Sequence, residues 1–214
     1  MIEQDYFMRM VSMLAAMLAR ITFLKNQKDY PASLLEIQST GRTLLGIDHM
    51  LIRECSVPQL MSLLGTDPAL AIPKGYILGR LLEEEAEIRG ETGEAAEAGA
   101  LMLKSLELLI DSWLQEGKAL AGDHTDHIEG LLARIEGSSV PPGLLEKIMA
   151  YHEATGHFDR AENVLFDILA ARPDFAREGL EFYRRLLARS DDDLRAGNLP
   201  RDEVMEGIAE IKVR

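Results

Sequence analysis

The sequence predicts an all-α protein, and three observations carry that prediction. Leu, Ala, Glu and Met abound, all strong helix formers, whereas aromatic residues make up only 6%. Apolar residues recur at spacings of three and four over much of the chain, the period of a helix face. Alternating runs of Val, Ile, Thr and Tyr, which would mark strands, are absent. The 214 residues are 47% apolar and 28% charged. That length can bury a sizeable core, and the balance is globular rather than disordered.

A first helix is expected over Gln4–Lys28. Phe7, Met10, Leu14, Met17, Ile21 and Leu24 follow the alternating three-and-four spacing of a packed seam. Met8, Val11, Met13 and Leu18 widen the apolar surface beyond it, so this long apolar helix needs partners on more than one side. It can lie across the helices behind it, or against a second copy of the chain. The second placement makes Phe7, Met10, Met13, Leu14, Met17 and Ile21 the self-association set of an expected homodimer. Arg9 and Arg20 interrupt the run, which is too short for a membrane span. Glu3 and Asp5 acidify what would be the basic end of a signal peptide.

Helices are next expected from Tyr30-Pro31 to about Leu45, in a short segment ending at Cys55, and over Gln59–Leu64. Ser56-Val57-Pro58 suits a helix start, because proline is tolerated in the first turn. Ile72-Pro73-Lys74-Gly75 reads as a loop corner. Tyr76–Arg89 and Glu94–Glu116 form a hairpin around Gly93, and Asp123–Glu136 forms a further helix. Then comes the clearest unit, Leu144–Pro173. Leu145, Ile148 and Met149 mark its first helix and Gly156 the turn. Phe158, Ala161, Leu165, Ile168 and Leu169 mark its second helix, which stops at Pro173. Ala176–Arg189 reads as an end helix. Ser190–Asp193 reads as a polar turn, and Pro200 opens a short, loosely held tail helix.

At its Gly, aromatic, Ala, apolar and Pro positions, Leu144–Pro173 resembles one tetratricopeptide repeat. Gly93 and Ala98 make a weaker copy, but the two copies stand nearly twice the usual ~34-residue repeat apart. The resemblance implies a tetratricopeptide-like stack of helical hairpins with an irregular centre. The expected organisation is one continuous helical domain, 1–214. Within it lie a packing or dimerisation helix (1–30), the hairpins (70–189) and the tail (190–214). The opening Gln4-Asp5-Tyr6-Phe7-Met8-Arg9 resembles the start of a family of uncharacterised bacterial proteins with tetratricopeptide-like helices. That resemblance implies a bacterial, cytoplasmic protein and transfers no catalytic residue.

A net charge of −13 disfavours nucleic acid and anionic membranes as partners. The single Cys55 excludes an intrachain disulfide and a cysteine-rich metal site, and suits a reducing compartment. No phosphate loop, zinc-protease pattern or other cofactor signature is present. His124 and His127 stand at i and i+3 and would share a helix face beside Asp126 and Glu129, a weak metal alternative. Against it, Asp123 would cap that helix and leave the histidines solvated.

The densest acidic run holds Glu83, Glu84, Glu85, Glu87, Glu91, Glu94 and Glu97, and such runs ordinarily mark a solvated helix face. The tetratricopeptide resemblance adds a groove lined by the first helix of each pair. It would place Glu83 and Glu87 in the weaker copy, and Glu146, Ala150 and Glu153 in the better one. Repeats that clamp a terminal carboxylate carry Lys and Asn at such positions, so an acidic groove here suits a basic partner instead. The expected function is therefore a protein–protein interaction or scaffold module with no catalytic activity and no cofactor. The alternative is an enzyme or ligand-binding protein whose site forms only in three dimensions.

Overall fold

The computed structural model describes residues 2–116 and 123–213, with side chains throughout except at 2–8, 11, 69, 116 and 123. The described residues contain helices and no strands. They form two compact units, Met1–Ser138 and Ser139–Arg214. The division falls just before Val140-Pro141-Pro142-Gly143. Consecutive prolines cannot continue a helix, and each side of them has its own core.

In unit one, α1 (Ile2–Asn26) is 25 residues long. It is amphipathic rather than apolar all round. Met10, Leu14 and Ile21 are buried and Met17, Leu18 and Leu24 half-buried, whereas Met13 and Phe23 are exposed. It packs on α2 (Tyr30–Thr40), which Asp29 caps by accepting from the Ala32 N–H, and on the helix Pro68–Glu91. A π-helical turn, Gly41–Leu45, leads to α3 (His49–Glu54) and α4 (Val57–Leu64). Ser56 and Gln59 complete the expected start of α4 as a capping box.

The centre of unit one is α5 (Pro68–Glu91), which pairs with α6 (Ala95–Glu116) around Gly93. Gly93 has a φ of 88°, a conformation that suits glycine at a helix end. The expected loop corner at Ile72–Gly75 is instead helix, with Pro73 inside α5. Local breaker chemistry is overridden because every residue from Ala71 to Gly79 except Lys74 is buried. Gly75 and Gly79 admit close neighbours. A Cβ at Gly79 would lie 2.9 Å from Leu109, and one at Gly75 would lie 2.8 Å from Met61 Sδ. Ser105 Oγ donates to the Gly79 carbonyl at 2.7 Å. Helix α7 (Asp123–Arg134) packs on α6.

Unit two opens with the hairpin α8 (Pro142–Thr155) and α9 (Phe158–Ala171), turning at Gly156 with φ 83°. Phe158, Ala161, Leu165, Ile168 and Leu169 are all buried, as their spacing predicted. After a 3-10 turn at Pro173–Phe175 comes α10 (Ala176–Leu187), then α11 (Asp191–Ala196) and α12 (Arg201–Val213). Two expectations fail here. The polar turn at Ser190 is the capping box of α11, in which Ser190 and Asp193 bond reciprocally. The tail is a packed helix, since Val204, Gly207 and Ile211 are buried against α10. Gly207 lets α12 close on Tyr183; a Cβ there would lie 2.1 Å from the phenol oxygen. Helix α10 is accordingly an internal element, with Phe182, Tyr183 and Leu186 fully buried.

Candidate functional site

The first part of the acidic run is an internal network, whereas Glu91 and Glu94 at its end are exposed. Glu83, Glu84 and Glu85 are 9%, 8% and 0% exposed. Successive helix residues point about 100° apart, so three in a row face three different neighbours. Glu83 accepts from Arg80 Nε at 2.9 Å, and its carboxylate lies 3.7 Å from His127 Nδ1. Glu84 meets Lys25 of α1 at 2.5 Å. Glu85 meets His49 Nε2 of α3 at 2.7 Å and Arg89 at 3.5 Å. One turn on, Glu87 meets Lys25 at 2.5 Å and Arg134 of α7 at 2.9 Å. Burial works against these charges and their partners hold them. Burial would raise the Glu83 carboxyl, but His127 and Arg80 hold it below its ordinary value. Burial would lower the Lys25 ammonium, but its bonds to Glu84 and Glu87 raise it.

Glu83 and Glu87 therefore bind α5 to its neighbours, with Glu83 paired to Arg80 and His127 and Glu87 to Lys25 and Arg134. Hydropathy reads a Glu run as exposed; the matching cations, Lys25, His49, His127 and Arg134, lie too far away in sequence to show the pairing.

His124 and His127 are also engaged within unit one. Arginine only donates, so His127 Nε2, 2.6 Å from Arg80 Nη1, accepts with the lone pair a metal would need. The His124 ring packs on Tyr76 with centroids 3.9 Å apart. Among the described residues, neither histidine joins a group of three ligand atoms close enough to hold an ion. Capping by Asp123 concerns a side chain outside the described residues.

Cys55 is half-buried and has a cation near it that the sequence did not indicate. Lys104 Nζ donates to the carbonyls of Ile52, Arg53 and Cys55 at 3.0, 2.9 and 2.8 Å. All three ammonium protons are thereby directed at the C-terminal end of α3, which makes Lys104 a helix cap.

In the self-association set, Met10, Leu14 and Ile21 are consumed inside unit one, so their seam is not open to a second copy. Met17 is half-buried and Met13 is 39% exposed, while the Phe7 side chain lies outside the described residues.

Unit two contains an open cleft. Glu146, Met149, Ala150 and Glu153 of α8, at i, i+3, i+4 and i+7, form one wall. Glu178, Glu181 and Arg185 of α10 form the other, with Phe175 at one end, around about 280 Å³. Glu146 accepts from Arg172 at 2.8 Å. Glu153 accepts a two-bond fork from Arg185, both at 2.7 Å. The first bridge lies near the start of α10 and the second near its end, so α8 and α10 run in the same direction. Met149 is buried on the floor, and the Arg172 guanidinium sits 4.9 Å from the Phe175 ring centroid.

The structure thus brings Glu146, Ala150 and Glu153 together on a cleft, with both carboxylates internally paired. Sequence reasoning missed Glu178, Glu181 and Arg185, although their i, i+3, i+7 spacing marks one polar face of α10. The cleft offers an apolar floor and a rim of carboxylates and one arginine.

No curated protein and no solved structure is detectably similar to the chain. Residues 1–214 match a family described as a family of unknown function (DUF6483), and the chain belongs to that family.

Proposed function

We propose that the protein is a protein–protein interaction module, without catalytic activity, whose second unit receives a partner segment between α8 and α10. The observation that carries this reading is the cleft itself: two same-direction helices, an apolar floor at Met149 and Phe175, and carboxylates on both walls. A tetratricopeptide-like arrangement accounts for it. In that arrangement α8 and α10 act as first helices of successive pairs, with α9 behind them, and the exposed groove lies on the first helices. Gly156, Phe158 and the buried Ala161 support this reading of the hairpin.

The volume fits the same role. About 280 Å³ is at the lower edge of the ~300–1,000 Å³ range of small-molecule pockets, and its open form suits a side chain of a bound segment. In unit one, every charge of the α5 network is matched from within, which suits a supporting role there.

The test is affinity capture with the full chain as bait, comparing the wild type with Ala150→Trp, which fills the floor, and Met50→Ser on exposed α3. Partners retained by the wild type and Met50→Ser and lost with Ala150→Trp support the reading. An unchanged set of partners with Ala150→Trp refutes it, provided the variant keeps the wild-type unfolding profile.

A further inference from the structure

We infer that the α8–α10 cleft selects a segment carrying an apolar side chain next to a cationic one, and that Glu178 is the residue reading the cation. This rests on the interaction-module reading and adds the chemistry of the occupant. Four carboxylates line the cleft, but they are not equivalent. Glu146 is held by Arg172 and Glu153 by Arg185. Glu181 is paired with Arg184, one turn along the same helix. Glu178 has no ion pair or hydrogen bond among the described residues.

Glu178 is exposed, so water sustains its charge without an internal cation, and it lies in the first turn of α10. The partial positive charge of a helix start favours a carboxylate there. The free carboxylate stands on the α10 wall of the cleft, whose lining also includes Met149, Ala150 and Phe175. A side chain of Leu or Met type on that floor places the neighbouring residue of its segment against Glu178. A Lys or Arg there gains an ion pair, whereas an Asp or Glu meets like charge. Arg185 closes the far end, since both its bonds go to Glu153. Charge complementarity therefore commits the site to a basic segment with one apolar anchor. Methionine's adaptable side chain tolerates several anchors.

The experiment uses the full chain and three fluorescein-labelled peptides, each with a central Leu flanked by Lys, Gln or Glu, read by fluorescence anisotropy at two salt concentrations. The Lys peptide is expected to bind most tightly, by about fivefold over the Gln peptide at low salt, with the gap closing as salt screens it. Glu178→Gln should remove that Lys preference and leave the affinity for the Gln peptide unchanged. Glu203→Gln, on the exposed face of α12, should change neither. Equal binding of the Lys and Glu peptides, or a Lys preference that survives Glu178→Gln, overturns the inference and leaves the module reading standing. Absence of binding by all three peptides overturns it as well, and the capture experiment with Ala150→Trp then judges the module separately.

Discussion

Replacing Lys25 with Met tests the reading of α5 as an internally neutralised element. The ammonium lies 2.5 Å from both Glu84 and Glu87, whose side chains are 11% and 33% exposed, and is itself 14% exposed. Methionine keeps the length and apolar character of the stem but removes the charge. Glu87 retains Arg134, so the carboxylate left without its cation is Glu84. Removing one partner of a buried ion pair costs ~3–5 kcal/mol, and the residual solvent access here brings the expectation to about 2–4 kcal/mol. With a urea dependence of ~2 kcal/mol per molar, the unfolding midpoint should fall by about 1–2 M.

Trp113, the chain's only tryptophan, lies in α6 and reports on unit one. Its fluorescence during urea unfolding is the assay. The double variant Lys25→Met/Glu84→Leu removes both charges and should recover most of the loss, because a matched apolar pair is often as stable as a buried ion pair. A double variant whose loss equals the sum of the two single losses would refute the reasoning, since the residues would then be uncoupled.

The pH dependence supplies a second arm. The folded-state pKa of Lys25 is raised above its ordinary 10.5. Its contribution is therefore full below that value and is lost as pH rises through the folded pKa. The gap between wild type and Lys25→Met should narrow only in strongly alkaline solution.

Four further outcomes are expected. Gly207→Ala should destabilise unit two by roughly 1–3 kcal/mol or more by overpacking against buried Tyr183, seen in thermal unfolding by circular dichroism. Ala161→Leu should cost roughly 1–3 kcal/mol in the same assay, because that position is fully buried in the hairpin core. Leu14→Glu should unfold unit one, with Trp113 fluorescence changing, rather than convert a dimer to a stable monomer in sedimentation.

Glu162 is the fourth case. Burial raises its pKa; the Tyr183 hydrogen bond works against that, while Glu203, Glu210 and Asp159 add to it. A raised carboxyl stabilises the fold below its unfolded pKa and loses that contribution as pH rises through the folded one. Glu162→Gln should therefore stabilise unit two at pH 7 relative to wild type, with the advantage vanishing near pH 4 in urea titrations.

The sequence by itself determined the elements whose signals are local. Gly93 and Gly156 marked the hairpin turns, and both adopt the left-handed backbone that glycine supplies at least cost. Ser56 with Pro58 marked the start of α4. The three-and-four spacing of α9 identified its buried face residue by residue, because a helix carries its neighbours' faces at fixed angles. The tetratricopeptide resemblance, rather than spacing alone, grouped Glu146, Ala150 and Glu153 of α8, which line a cleft in the structure.

Only the tertiary structure decided where charge lies relative to water. Composition cannot distinguish a solvated glutamate from one held by a cation, and Glu84 and Glu85 meet Lys25 and His49, residues on other helices. Pro73 signals a break, yet burial on all sides of α5 outweighs one missing hydrogen bond. Gly75 looks like a loop residue until Met61 of α4 and Ser112 of α6 are seen pressed against it. Met10, Leu14 and Ile21 announced an interface but not with what, because an apolar seam packs equally well on its own chain or on another. Glu178 was one glutamate among many until its neighbours' ion pairs left it as the cleft carboxylate without a cation.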